Sequence, residues 1–184
     1  FPTYVWEAQI TGVDNESILE YIHNKENQDP AGVRRSNVGG WHSHPYEMGD
    51  MPPECFKELM RDCTDFVNDY CSEYTGVKNL YVGNYWFITN KKYDYNNQHH
   101  HMGSFLSCAY YVKAPRKSGN IILYRDDHGE YYFGSKAGKS EYTSVARHFE
   151  PKEGMLLVFP SWLLHSVEQN LSDEDRVVLS INFS

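Results

Sequence analysis

The chain has no apolar run approaching the roughly 20 residues that carry a helix across a bilayer. Its first residues, Phe1-Pro2-Thr3-Tyr4, lack the charged-then-apolar order of a signal peptide. Both absences predict a soluble, cytoplasmic protein. No cluster of Lys or Arg interleaves with aromatics, and the net charge is -8 with a pI near 5.5. Such a surface repels a phosphate backbone, which disfavours nucleic acid as the main partner. Four cysteines form no Cys-x-x-Cys pair, which removes the usual zinc signature. Cys55, Cys63 and Cys71 recur at eight-residue intervals on one predicted helix, too far apart for disulfide geometry, and Cys108 stands alone, so reduced and mostly buried thiols are expected. Internal repeats, low-complexity stretches and linkers are also missing. Residues 1–184 therefore read as a single domain, with a helical part over about 1–79 and a strand-rich part over about 80–184.

Periodicity divides the chain in the same place. Asp14-Asn15 offers a polar cap ahead of Ile18 and Ile22, spaced four apart, and predicts a helix beginning at Asp14 or Asn15. Pro52-Pro53-Glu54 opens a longer helix running from Cys55 to Tyr74, with Phe56, Leu59, Met60, Cys63, Phe66, Val67 and Tyr70 at helical spacing. From Leu80 the pattern changes to short β runs separated by Pro, Gly and Asn: 80–89, 105–113, 120–124, 131–133, 155–159 and 177–183.

The chemistry concentrates in histidines. In a strand, alternate residues share a face, so His99 and His101 of His99-His100-His101 point together while His100 points away. Two imidazoles on one face can hold one metal ion. His165 follows the apolar run Met155-Leu156-Leu157-Val158-Phe159 and supplies a third ligand. On the last strand Arg176, Val178, Ser180 and Asn182 share a face. An arginine turned into a barrel needs a partner, and a bound carboxylate answers a guanidinium with two parallel hydrogen bonds. Tyr110 and Tyr111 are adjacent on a strand, so one ring faces inward. His42 and His44 form a second His-x-His between Gly39-Gly40 and Pro45. That setting predicts a polar loop, or a lid in which Trp41 and His42 touch substrate. His128-Gly129-Glu130 and His148-Phe149-Glu150 are the remaining His-x-carboxylate pairs. Both stand too close before His165 to leave room for the intervening strands.

The stretches from His99 to Pro115 with Ser118-Gly119-Asn120-Ile121, from Glu150 to Val167, and from Arg176 to Phe183 resemble the 2-oxoglutarate and Fe(II)-dependent oxygenases common in marine bacteria and their phages. Phe1-Pro2-Thr3 and Ser36-Asn37-Val38-Gly39-Gly40-Trp41-His42-Ser43 are similar to that family's opening, so the likeness covers nearly all of the chain. The resemblance implies a mainly β fold with flanking α-helices, built on a double-stranded β-helix, or jelly roll. It implies an oxygenase, expected to be a hydroxylase, that couples decarboxylation of 2-oxoglutarate to succinate with oxidation of a substrate C–H bond. Fe(II) would be held by His99, His101 and His165. The cosubstrate would be held by Arg176, with Ser180, Tyr111, Tyr85 and Asn182 as helpers. Partners would be O2 and a prime substrate, either a protein side chain or a small molecule.

The chain departs from the superfamily's commoner ligand set, two histidines and one carboxylate, because His101 stands where a carboxylate is usual. A neutral imidazole there leaves one more positive charge on the metal centre. Two other classes remain open at this point. A cupin-like metalloenzyme also uses His-x-His but adds a glutamate a few residues on, and Met102 to Lys113 contains none. A barrel that binds metal or a small acid without turnover would make no succinate.

Overall fold

The computed structural model describes residues 3–47, 50, 52–125, 138, 140 and 143–184. The expected strand at 131–133 and the His128-Gly129-Glu130 pair lie outside them. The order is β1 (Trp6–Gln9), α1 (Asn15–Gln28), β2 (Asn37–Val38), β3 (Trp41–His42), β4 (Tyr46–Glu47), α2 (Glu54–Phe66), a π-helical stretch (Val67–Cys71), α3 (Ser72–Thr75), β5 (Val82–Asn90), β6 (Tyr95–His99), β7 (Leu106–Lys113), β8 (Ile121–Tyr124), β9 (Ala146–Phe149), β10 (Met155–Pro160), β11 (His165–Val167) and β12 (Arg176–Phe183). No helix among these residues is long and apolar enough to cross a membrane.

The strands form two sheets, all pairings antiparallel. The larger runs β1-β10-β7-β12-β5-β3, with β4 also on β5; the smaller runs β2-β6-β11-β8-β9. Sequence reading confined the strands to the second half, but β1 to β4 lie in the first. β1 extends the larger sheet by pairing Trp6 with Val158 through Gln9 with Met155. Such two- to four-residue strands carry too few residues to show a period of two, and only their partners define them.

Both helices form where the sequence places them. The Asp14 carboxylate accepts hydrogen bonds from the Ser17 N–H and hydroxyl, which caps α1 and holds the Asp14 carboxyl below the usual carboxylate range. Ile18 and Ile22 on α1, and Phe56, Leu59 and Cys63 on α2, are fully buried against the outer face of the larger sheet. Each such side chain contributes about 1.5–3 kcal/mol by leaving water. The predicted stripe fails at its far end, where the π-helical turn rotates Tyr70 out to solvent at 67% exposure.

Alternation on the central strands separates two cores. On β12 Val177, Leu179, Ile181 and Phe183 face the helices; on β7 Cys108, Tyr110 and Val112 do the same. Val178, Ala109, Tyr111, Leu157 and Phe159 turn the other way and pack between the sheets. Tyr110 and Tyr111 therefore divide as expected. The Tyr110 hydroxyl donates to Asn15 Oδ1 at 2.9 Å, tying β7 to α1. Tyr110→Phe is expected to lower stability by about 1 kcal/mol, read as a shifted urea midpoint with an unchanged m-value.

A glycine pair, Gly39-Gly40, carries the chain from β2 on the smaller sheet to β3 on the larger. Both have positive φ, and a Cβ on Gly40 would sit 2.7 Å from the Thr89 carbonyl oxygen.

Candidate active site

Between the two sheets lies a cavity of about 510 Å³. Its walls come from strand residues at a spacing of two: Asn84, Trp86, Ile88 and Asn90 on β5, Ala109 and Tyr111 on β7, and Arg176, Val178, Ser180 and Asn182 on β12. His99, His101 and His165 face it from the smaller sheet's side.

The three imidazoles converge. One ring nitrogen from each can be chosen so that all lie within 4.8 Å of one another. His99 ends β6 and is paired across the sheet with His165 on β11. Their ring centroids are 4.2 Å apart, and His101 stands 5.2 Å from the first and 5.0 Å from the second. The assigned strand stops at His99, and His101, two residues on, is held by its own N–H, which donates to the Ser161 carbonyl at 2.8 Å.

Hydrogen bonding sets which nitrogen is free. The Nδ1–H of His99 donates to the Asn97 carbonyl at 2.8 Å and that of His165 to the Leu163 carbonyl at 2.8 Å. The Nδ1 of His101 lies 2.8 Å from Ser107 Oγ and 2.9 Å from Asn182 Oδ1. With each Nδ1 engaged, the remaining lone pair is on Nε2. The Ser36 hydroxyl stands 3.4 Å from the His99 Nε2. Burial depresses all three pKa values and the neighbouring rings add to it, bringing His101 to about 4 and His165 to about 3. The imidazoles are thus neutral at pH 7. Three neutral nitrogen donors with oriented rings fit a divalent transition metal.

Arg176 is fully buried at the far wall. Its Nη1 donates to the carbonyls of Ser118, Gly119 (3.1 Å) and Glu168 (3.4 Å), and its Nη2 to Asn90 Oδ1 at 2.9 Å. Nε has no partner, and neither do Asn90 Nδ2 and Trp86 Nε1, although all three atoms are buried. Burial lowers the Arg176 pKa only to about 10, so the group is charged. Counting hydrogens leaves one on Nη2 and one on Nε. Buried donors without acceptors beside a charged arginine fit a carboxylate of a small acid such as 2-oxoglutarate. Ser180 and Tyr111 line the same cavity, and burial raises the Tyr111 phenol to about 12, which keeps it protonated.

Several expectations are corrected. Tyr85 faces away from the cavity, stacked on Tyr46 in the outer core at 4.9 Å, because it occupies the opposite parity of β5. Asn182 lines the cavity, but its oxygen is taken by His101 and Ser107 and one amide hydrogen goes to Asn84 Oδ1, so only its second amide hydrogen is left for cosubstrate. Trp41 is no lid: with His42 it forms β3, paired to Thr89 and Ile88, and its indole N–H donates to the Asp29 carbonyl at 2.8 Å. His42 does face the cavity, buried and stacked on Trp86 at 5.7 Å. His44 is exposed beside Asp29. His148 lies on β9 against Glu168, apart from the triad. Sequence reading missed Asn84, Trp86, Asn90, Ser107 and Ser161, although the polar positions of β5 recur at strand spacing.

Comparison with known proteins agrees with this geometry. The search of curated proteins finds no match. Among solved structures, a Pseudomonas putida prolyl-4-hydroxylase superposes with a TM-score of 0.66 at 14% identity, over 98% of this chain and 92% of that one. The viral collagen prolyl hydroxylase of Paramecium Bursaria Chlorella virus-1 gives 0.63 at 12%, over 98% and 95%. HygX from Streptomyces hygroscopicus, with nickel and 2-oxoglutarate bound, gives 0.63 at 13%, over 99% and 82%. These likenesses share the double-stranded β-helix. Residues 84–182 match the family described as "Putative 2OG-Fe(II) oxygenase". That is more than half of the chain and all of the cavity-bearing strands from β5 to β12, so this protein belongs to the 2-oxoglutarate and Fe(II)-dependent oxygenases, with Fe(II) and 2-oxoglutarate as cofactors and His99, His101 and His165 able to hold the iron.

Proposed function

We propose that residues 1–184 work as one hydroxylase domain in which His99, His101 and His165 hold Fe(II) and Arg176 anchors the distal carboxylate of 2-oxoglutarate. The observation that carries this reading is the pairing, in one cavity, of three converging neutral imidazoles with a buried arginine that lacks a carboxylate partner among the described residues. Held there, iron and cosubstrate would supply the oxidising chemistry, hydroxylation of a substrate C–H bond by one atom of O2 coupled to conversion of 2-oxoglutarate into succinate and CO2 with the other.

The protein's own residues orient and exclude. Arg176 offers the unused hydrogens on Nη2 and Nε, and the neighbouring Asn90 Nδ2 offers more, so several buried donors face an acid at this wall. The Tyr111 phenol and Ser180 hydroxyl face the same volume and can donate to the same carboxylate. The apolar wall of Ile88, Ala109, Phe159 and Val178 keeps water from the space between the arginine and the histidines. His42 and Trp86 flank the cavity as a stacked pair and would meet the prime substrate. Solved neighbours named as prolyl hydroxylases, one in complex with a peptide fragment, make a protein side chain one candidate and a small molecule the other.

Anaerobic titration of the Fe(II)-loaded protein with 2-oxoglutarate tests the proposal. A visible charge-transfer band of the chelated 2-oxoacid is expected, and it should be lost in His101→Ala. Intact iron binding with no band would move the assignment to a barrel that binds metal without oxygenase turnover.

A further inference from the structure

Polar side chains from several strands are buried around a single nitrogen, the Nδ1 of His101. Ser107 on β7 and Asn182 on β12 stand 2.8 and 2.9 Å from it. The Ser107 hydroxyl donates to Asn182 Oδ1 at 2.8 Å and lies 2.8 Å from the hydroxyl of Ser161, just past β10. Asn182 Nδ2 donates to Asn84 Oδ1 on β5 at 2.9 Å, which turns the amide oxygen toward the histidine. Ser107 and Ser161 are fully buried and Asn182 is 6% exposed. A polar cluster at this depth, between apolar neighbours on the same strands, is costly unless every member is partnered. These members are partnered, and the group they converge on is the imidazole whose ligand role is in question.

We infer that Asn182, supported by Ser107 and Asn84, is the positioning residue that makes His101 a metal ligand. The inference rests on the reading of the three histidines as the iron site. By accepting the Nδ1–H, Asn182 fixes the ring's tautomer and rotation, so that Nε2 keeps its lone pair and faces His99 and His165. The same arrangement selects imidazole over carboxylate at position 101. A carboxylate there carries no hydrogen, and it would meet the Asn182 amide oxygen, itself an acceptor, at hydrogen-bond range. The His-x-His motif is then a supported ligand set with its own polar shell, not a carboxylate triad that has lost a member.

Anaerobic calorimetric titration with Fe(II) alone, without cosubstrate, separates this role from plain structural support when paired with thermal unfolding of each metal-free variant. Asn182→Ala is expected to weaken iron binding by about 10–100-fold, and Asn182→Asp, which keeps the acceptor, to recover binding to within a few-fold of the parent. His101→Asp is expected to bind iron more weakly than the parent. Ser107→Ala, which leaves the amide in place, should show a smaller loss and serves if Asn182→Ala does not fold. Undiminished iron affinity in folded Asn182→Ala or Ser107→Ala, no recovery in Asn182→Asp, or parent-like binding by His101→Asp would overturn the inference. His101→Ala tells its failure from that of the site itself: if that variant also binds iron like the parent, the ligand assignment falls, whereas a loss there with none in Asn182→Ala removes only the positioning role.

Discussion

Arg176→Leu should bind 2-oxoglutarate between about 30-fold and several thousand-fold more weakly, corresponding to about 2–5 kcal/mol for removing one partner of a buried charge pair. The magnitude follows from the surroundings. Arg176 is 0% exposed, and its hydrogen bonds among the described residues go to backbone carbonyls and Asn90 Oδ1, with Asp94 and Glu168 acting on it only through space. Leucine would leave the cosubstrate carboxylate buried against the Ser118 and Gly119 carbonyls, which are acceptors, so repulsion replaces attraction. The same carbonyls lose their donor, and the variant should unfold at a lower temperature than the parent. Arg176→Lys separates the two effects, because it keeps the charge but cannot present two hydrogens along one edge; its affinity should fall between the two. Calorimetric titration of 2-oxoglutarate into the Fe(II)-loaded, oxygen-free proteins measures all three. Equal affinity in parent and Arg176→Leu would place the cosubstrate elsewhere.

The metal-free protein is expected to lose stability steeply in weak acid. His101 and His165 are held at about 4 and about 3 in the folded protein, against 6.5 for an unperturbed histidine. Because the folded values lie below the unfolded one, the unfolded chain takes up protons first as the pH drops. Folding stability is therefore at full strength above pH 6.5 and falls through the window from 6.5 down to about 4, by about 1.4 kcal/mol per pH unit for each histidine. Two such groups together approach the few-kcal/mol scale of a domain's whole stability within two pH units. Carboxylates with ordinary pKa values titrate lower, so the upper half of this window belongs to the histidines. Urea midpoints at pH 7.5, 6.5 and 5.5 should be level across the first interval and fall across the second. His165→Ala should flatten that fall. A midpoint independent of pH down to 5.5 would mean that these imidazoles are not buried in the neutral form.

Much of this was legible in the residues, and what was not has physical reasons. Asp14 followed by Ile18 and Ile22 gives a cap and an apolar face with no tertiary help, so α1 was readable to within a residue. The alternation of β12 placed Arg176, Val178, Ser180 and Asn182 on the cavity side correctly, because a strand's parity is independent of its neighbours. Parity also explains the error at Tyr85: its aromatic character suits either face, and only the register of β5 against β12, Ile181 opposite Tyr85, decides that it joins the helix-facing side. Trp41 and His42 looked like a loop because glycines precede them, yet two residues suffice to pair with Thr89 and Ile88. The shell around His101 was illegible for a different reason. Ser107, Ser161 and Asn182 are distant in sequence, and nothing in their local spacing says that they meet.

The triad's placement has a mechanical side. His99 and His165 belong to the smaller sheet, while the ring of His101 is moored to Ser107 and Asn182 on the larger one. The distance between ligands is therefore a gauge of the gap between the sheets. That gap is set by Met155, Leu157 and Phe159, which lie between the sheets. Close-packed interiors compress little, so one methylene more or less in this spacer must shift the sheets or strain a rotamer. A substitution such as Leu157→Val would thus retune the coordination geometry from a distance, making the filling between the sheets an adjustable shim for the metal site.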